Sequence, residues 1–224
     1  MSDKSIYINK LTDEDVLCFK EALTVLCPII EKYKDQKDIE IEFRIGYLDQ
    51  DKFNSNVPEI FYKKIFNQLI SSNFKKTTLE TLDTFSKGLR KSKDLIKNRS
   101  TVIKKEKIVS FDFSLINTPF DIRVSISREV KMTIKDFKEE ESSYSRNKNR
   151  TSFLYKSWSF DLTEVSYIEN SVPYKIYEVE LELLNLKDDI YYLVHSSLLK
   201  VRDMALFCEN EGPIEFKLNN IKNY

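Results

Sequence analysis

Residues 39–46, IEIEFRIG, and 177–184, YEVELELL, alternate apolar residues with carboxylates: Glu40 and Glu42 in the first, Glu178, Glu180 and Glu182 in the second. Successive side chains of a β-strand point to opposite faces, so each set shares one face at a spacing of roughly 7 Å. Carboxylates that close repel once water is withdrawn. The same grouping is what a hard cation with oxygen ligands, such as Mg²⁺ or Mn²⁺, requires. A third run, SRNKNRTSF, puts Arg146, Lys148 and Arg150 on one face, and such groups suit phosphate oxygens. DIRVSISREV sets Arg123, Ser125, Ser127 and Glu129 against Ile122, Val124 and Ile126, and WSFDLTEV sets Ser159, Asp161 and Thr163 together. Singly, these are the wet faces of ordinary antiparallel strands. Jointly, they fit a barrel that turns its polar faces inward, around a cation and phosphates, and its apolar faces outward beneath helices.

Three helices are expected. In 13–34, Thr12 with Asp15 resembles a capping box, and Val16, Phe19, Leu23, Leu26 and Ile30 fall at helical spacing. In 57–72, Asn56 is the expected cap, Pro58 suits the first turn, and Ile60, Phe61, Ile65 and Leu69 form the apolar stripe. In 188–208, Tyr191, Val194, Leu198, Val201 and Ala205 are the expected buried positions, with Gly212–Pro213 beyond its end as a stop. Period-two alternation predicts strands at 39–48, 77–85, 87–95, 100–109, 121–132, 150–157, 158–166, 174–184 and 214–218, with 138–150 a polar loop. Many short strands and few helices predict a mainly β member of the α+β class, a closed antiparallel barrel or a sandwich, in one domain over residues 1–224.

Composition narrows the function. Lys+Arg and Asp+Glu balance at 36 each, which argues against a surface for duplex DNA. Three glycines leave no phosphate loop of the P-loop or Rossmann kind. Cys18, Cys27 and Cys208 are odd in number and sit in apolar helical surroundings, reading as reduced cysteines of an intracellular protein. The polar start, MSDKSIYINKLTDED, is no signal peptide, and no apolar run approaches the roughly 18 residues of a membrane span.

The ordered set of strands resembles the triphosphate tunnel metalloenzymes, and more narrowly the metal-dependent RNA triphosphatases of fungal and large-DNA-virus mRNA capping systems. Within that group the pattern looks most like the N-terminal domain of giant-virus (mimivirus-type) capping enzymes. IEIEFRIG matches the first glutamate strand and YEVELEL the last; between them SKGLRKS offers Arg90, TVIKKEK offers Lys104 (or else Lys105), DIRVSISRE offers Arg123 and Glu129, RNKNRTSF offers Arg146, Lys148 and Arg150, and SFDLTEV offers Asp161 and Thr163. The resemblance implies a closed eight-stranded antiparallel barrel with a polar interior and flanking helices. It implies hydrolysis of the β–γ phosphoanhydride of triphosphate-ended RNA, the first step of capping. Glu40, Glu42 and Glu182 would hold Mg²⁺ or Mn²⁺. Arg90, Lys104, Lys148 and Arg150 would clamp phosphates, Glu129 and Glu180 would orient the attacking water, and Arg44, Arg123, Arg146, Asp161, Thr163 and Glu178 would complete the substrate site. Guanylyltransferase and methyltransferase domains would follow downstream, in the host cytoplasm, a viral factory or a virion. The family pattern has an arginine two residues before its aspartate where this chain has Ser159, so Lys156 or another base is called on there.

Other readings compete. Tunnel enzymes for tripolyphosphate or free nucleotides usually carry a lysine after the paired glutamates, where Arg44 stands here. A noncatalytic RNA-binding barrel conflicts with two acidic strands, because carboxylates repel phosphates. His195, the single histidine, lacks partners for zinc or triad chemistry. Trp158 and the other aromatics are read as core before base-stacking platforms. The lysine run at 87–107 is read as a solvated face with tunnel residues.

Overall fold

The computed structural model describes residues 13–50, 52–142, 144–207 and 214–224, with side chains from Cys18 onward. Thr12, the Val16 side chain, Cys208 and Gly212–Pro213 lie outside the described residues. The strands are β1 (Ile39–Asp49), β2 (Lys52–Asn54), β3 (Lys75–Ser86), β4 (Leu89–Asp94), β5 (Arg99–Ile116), β6 (Asp121–Met132), β7 (Tyr144–Tyr155), β8 (Trp158–Glu169), β9 (Val172–Leu183) and β10 (Glu215–Asn223). The helices are α1 (Asp13–Tyr33), α2 (Glu59–Ile70) and α3 (Ile190–Ala205).

Eight strands close into a ring: β5-β4-β3-β7-β8-β9-β1-β6 and back to β5, every neighbour antiparallel. Closure leaves no free edge in the ring. β2 pairs with β1 and β10 with β5, outside it. Two-residue turns with both residues left-handed, Lys87–Gly88 and Asn170–Ser171, join β3 to β4 and β8 to β9, the twist that suits tight hairpins. Gly46 is required by a close approach: a Cβ there would sit 2.2 Å from the Asn54 carbonyl oxygen on β2.

The outward faces of Ile41, Phe43, Ile45, Phe111, Phe113, Ile122, Val124, Ile126, Phe160, Leu162 and Leu181 form one core with Phe19, Leu23, Leu26 and Ile30 of α1 and Leu193, Val194, Leu198 and Val201 of α3. The hydrophobic driving force therefore lies outside the barrel, and the interior is left to polar groups.

Several boundaries differ from the expected ones. β7 begins at Tyr144, inside the stretch expected to be a loop, because its polar residues pair with β3 inside the barrel. β5 runs on to Ile116 past a bulge between Lys107 and Val109. The extra residue exchanges the faces, so the alternation is interrupted where the strand was expected to stop. β10 is longer than 214–218, and β2 was not expected. Pro58, not Asn56, occupies the cap of α2; the Asn56 side chain accepts from the Tyr177 amide at 3.0 Å and ties the segment to β9. Ile60 and Tyr191, expected to be buried, are exposed.

Trp158 is buried, as expected of a packing residue, and His195 is buried in the helical layer. Trp158 donates from Nε1 to Ser197 Oγ at 2.9 Å, with Lys200 Nζ 3.8 Å over its ring. The His195 ring meets Phe19 edge-on, centroids 5.4 Å apart. No helix among the described residues is long and apolar enough to cross a membrane.

Candidate functional site

Ring closure brings together residues far apart in sequence. In the β1–β9 register Glu42 faces Glu182 and Arg44 faces Glu180. In the β8–β9 register Ser159, Asp161 and Thr163 face Glu182, Glu180 and Glu178. Arg150 of β7 faces Thr163, Lys148 faces Thr81 of β3, and Arg146 faces Asp83. Lys105 of β5 faces Glu129 of β6. The result is an interior cavity of about 320 Å³, whose charged lining comprises Glu40, Glu42, Arg44, Asp83, Arg90, Glu129, Arg146, Lys148, Arg150, Glu178 and Glu180.

Two guanidiniums organise its centre. Arg44 donates from Nε to Glu180 Oε1 and from Nη2 to Glu42 Oε2, both at 2.5 Å. Arg150 donates to Thr163 Oγ1 at 3.1 Å, Asp161 Oδ2 at 3.0 Å and Glu180 Oε2 at 2.9 Å. Lys105 Nζ bridges Glu40 and Glu42, 2.8 Å from Glu42 Oε1, with Glu129 Oε1 at 3.8 Å. Arg90 Nη2 reaches Glu129 Oε1 at 3.2 Å. The Nε atoms of Arg90 and Arg146 are buried without a hydrogen-bond partner. Lys148 has no ion-pair partner among the described residues. Buried donors left open, such as the two Nε atoms, are costly unless a ligand meets them, and all three residues belong to the cavity lining.

The charges respond to this packing. Burial pushes the Lys148 ammonium down to about 8, aided by Arg150 beside it. Burial also favours a neutral Glu180, but Arg44, Arg150 and Lys148 overcome it and hold that carboxyl well below the usual range. Burial lifts Glu182 to about 8, and the nearby Glu40, Asp161 and Glu42 add to the rise. Burial likewise lifts Glu42, against Arg44 and Lys105.

All the expected inward residues except Lys104 share the barrel's inner face, but not all line the cavity. Lys104 points outward and pairs with Glu106 at 2.8 Å. Its neighbour Lys105 is the inward lysine, because the face of β5 is set by pairing with Glu129; Lys105 in place of Lys104 is therefore a correction. Arg123 grips the fully buried Asp112 with two hydrogen bonds, at 2.6 and 2.8 Å, under the Phe53 ring of β2. It lies outside the cavity lining, so a direct substrate contact is not supported. Asp161 and Thr163 stand behind Arg150 and hold it. Ser159 donates to Asp161 Oδ1 at 2.5 Å, while Lys156 is an exposed turn residue over the Tyr155 ring, not a tunnel base. Glu178 accepts from Ser55 Oγ at 3.1 Å.

Among the described residues, no three carboxylates are gathered closely enough to cage a metal as they stand. The donor set nevertheless fits a hard cation. Lys105 already places one positive charge between Glu40 and Glu42. Glu182, opposite Glu42, has no ion-pair partner among the described residues and is crowded by like charge. A cation relieves such crowding.

The fold is shared with solved RNA triphosphatases. The S. pombe RNA triphosphatase Pct1 superposes with a TM-score of 0.72 at 18% identity, over 86% of this chain and 94% of that one. Pct1 in complex with the Spt5 CTD also gives 0.72, at 17% identity over 95% and 100%. The mimivirus capping enzyme triphosphatase gives 0.54 at 14% identity, over 88% and 99%. No curated protein matches by sequence. Residues 52–191, well over half the chain, match the family described as mRNA capping enzyme, beta chain. The chain therefore belongs to that family, the mRNA triphosphatases, hydrolases that act on the 5′ phosphoanhydrides of RNA in capping.

Proposed function

We propose that the tunnel cleaves the β–γ bond of triphosphate-ended RNA, with the triphosphate drawn along the row Arg146, Lys148, Arg150. The observation that carries this reading is the open buried Nε donors of Arg90 and Arg146, with the Lys148 ammonium beside them, in the same cavity as the glutamates. A dense anion turns over mainly by being positioned and neutralised. Arg150 and Arg44, fixed by Glu180, present their remaining N–H groups to phosphate oxygens. Lys148, whose ammonium burial brings down to about 8, is held more firmly in its charged form once an anion arrives. Glu180 is too acidic to be a strong base and orients the attacking water; Glu129, between Arg90 and Lys105, takes its proton. Mg²⁺ or Mn²⁺ held by Glu40, Glu42 and Glu182 would supply charge to neutralise the γ-phosphate. The diphosphate-ended product is the acceptor for the guanylyltransferase and methyltransferase steps, carried out by downstream domains or partners, in a viral factory, host cytoplasm or virion if the chain is viral.

The direct test is phosphate release from triphosphate-ended RNA, a nucleoside triphosphate and tripolyphosphate, with and without Mn²⁺. Release only from the two small substrates would move the activity to the tripolyphosphatase branch, and RNA binding with no release would leave a binding barrel. Two variants test the placement of residues. Lys105→Ala should lower release about tenfold or more, whereas Lys104→Ala should stay within about twofold; the reverse order would restore Lys104 to the site. His195→Ala, in the helical layer, should stay within about threefold of the parent while melting several degrees lower. A hundredfold loss of release in a folded His195→Ala protein would contradict a packing role.

A further inference from the structure

The β7–β8 ladder begins only at Asn147–Ser166. Beyond it the β3–β7 ladder continues to Phe85–Tyr144, and the β8–β9 ladder continues to Glu169–Val172. The two ladders therefore part at the barrel rim. Between them lies a second cavity of about 620 Å³, lined by Tyr144, Arg146, Tyr167, Ile168 and Tyr174 among others. Its rings form one connected set. Tyr167 and Tyr174 stack at 5.3 Å with 14° between planes, Tyr144 meets Tyr167 edge-on at 5.7 Å, and Phe85 lies 5.7 Å from Tyr144. Tyr144 and Tyr174 remain 37% and 43% exposed, so the set is not sealed as a core would be.

The cleft and the tunnel share one lining residue. Arg146 lines both cavities, lies 5.2 Å over the Phe85 ring, and keeps its buried Nε without a hydrogen-bond partner. On β7 the inward row runs Arg150, Lys148, Arg146, Tyr144; on β9 it runs Glu182, Glu180, Glu178, Ile176, Tyr174. At about 3.4 Å per residue, Tyr144 stands roughly 7 Å beyond Arg146 along its strand. Moving outward along the wall, phosphate-binding cations give way to aromatic faces. That is the order of groups met along a nucleic-acid 5′ end, from phosphates to base.

We propose that the cleft is a nucleobase-stacking vestibule that holds the first nucleosides of triphosphate-ended RNA while Arg146 grips the phosphates at the tunnel entrance. The proposal rests on the phosphohydrolase reading of the tunnel and adds the feature that distinguishes RNA from a bare polyphosphate. The volume is of the size that takes a small organic ligand. Stacking tolerates any base, because every base has a π-face, and a tyrosine platform therefore accepts any transcript start. The facing edges of residues 144–146 and 167–169 form no ladder with each other, leaving backbone groups for ribose and base edges.

The test is equilibrium binding, kept separate from turnover. A 3′-labelled RNA oligomer with a 5′ triphosphate is titrated by anisotropy, and inorganic tripolyphosphate is measured by competition, for the parent, Tyr144→Ala, Tyr174→Ala and Tyr174→Phe. RNA affinity should fall about tenfold in each alanine variant, tripolyphosphate affinity should stay within about twofold, and Tyr174→Phe should bind RNA as the parent does. RNA affinity within about twofold of the parent in both alanine variants overturns the vestibule, as does an equal loss for both ligands. Absence of phosphate release from a parent that binds RNA in this tyrosine-dependent way would count against the hydrolase reading alone.

Discussion

Glu182→Gln should reduce Mn²⁺-dependent phosphate release by about a hundredfold or more, roughly 2.7 kcal/mol in the barrier, and yet melt at a higher temperature than the metal-free parent. Both effects follow from the same crowding. Glu182 is the next-to-last residue of its strand, and closure sets it opposite Glu42, about 140 positions away in sequence. Its carboxyl is pushed up to about 8, first by burial and then by Glu40, Asp161 and Glu42. An unfolded carboxyl titrates near 4.5, so between these values the folded state binds more protons than the unfolded one. Stability then falls as pH rises from about 4.5 to 8, and the penalty is fully present above 8. The amide carries no charge and escapes that penalty. The gain in melting temperature should therefore be absent near pH 4, grow to a few degrees at pH 8 and level off. Glu42→Gln should lose activity to a similar degree but gain no stability, because Glu42 also holds Arg44 at 2.5 Å and Lys105 at 2.8 Å. The double variant should lose little more than either single one, as expected of groups that act as a unit. Full activity in either single variant would falsify the shared cation site.

The glutamate strands were legible because period-two alternation survives in them without interruption: Ile41, Phe43 and Ile45 cover the outside while Glu40, Glu42 and Arg44 turn inward. The same rule failed where the backbone departs from it. On β5 the bulge after Lys107 exchanges the faces, and a run of adjacent lysines offers no internal sign of which one points in; only pairing with Glu129 decides for Lys105. Arg123 shares the inward face as read, but its partner Asp112 lies beyond that bulge, in a stretch not assigned to a strand. The start of β7 was hidden for a related reason. Ser145, Asn147 and Asn149 deprive it of an apolar face, so the stretch resembles a loop until β3 supplies its ladder. Local pattern thus revealed which strands are polar inside, while register across the ring, a nonlocal property, determined which polar groups meet.

Arg150→Lys should lower phosphate release by about a hundredfold despite keeping the charge. The guanidinium is planar and carries five N–H donors. Three are committed in a fan to Thr163 Oγ1, Asp161 Oδ2 and Glu180 Oε2, at 3.1, 3.0 and 2.9 Å. That fan fixes the plane of the group and leaves two N–H donors for a phosphate. Lysine has three donors on one rotating nitrogen; satisfying Asp161 and Glu180 would exhaust most of them and bring the nitrogen back toward the wall. Removing Thr163 alone is the sharper control. Thr163→Val keeps the charge and volume of the wall but frees Arg150 Nε from its 3.1 Å contact. If Arg150 acts through geometry, Thr163→Val should fall between the parent and Arg150→Lys, with kcat reduced more than KM is raised, because a loosened clamp aligns the bound phosphate less often. If charge alone matters, both variants should match the parent. Steady-state kinetics on triphosphate-ended RNA at saturating Mn²⁺ would separate the two, and parent-like kcat in Arg150→Lys would leave Arg150 as a wall strut between β7, β8 and β9.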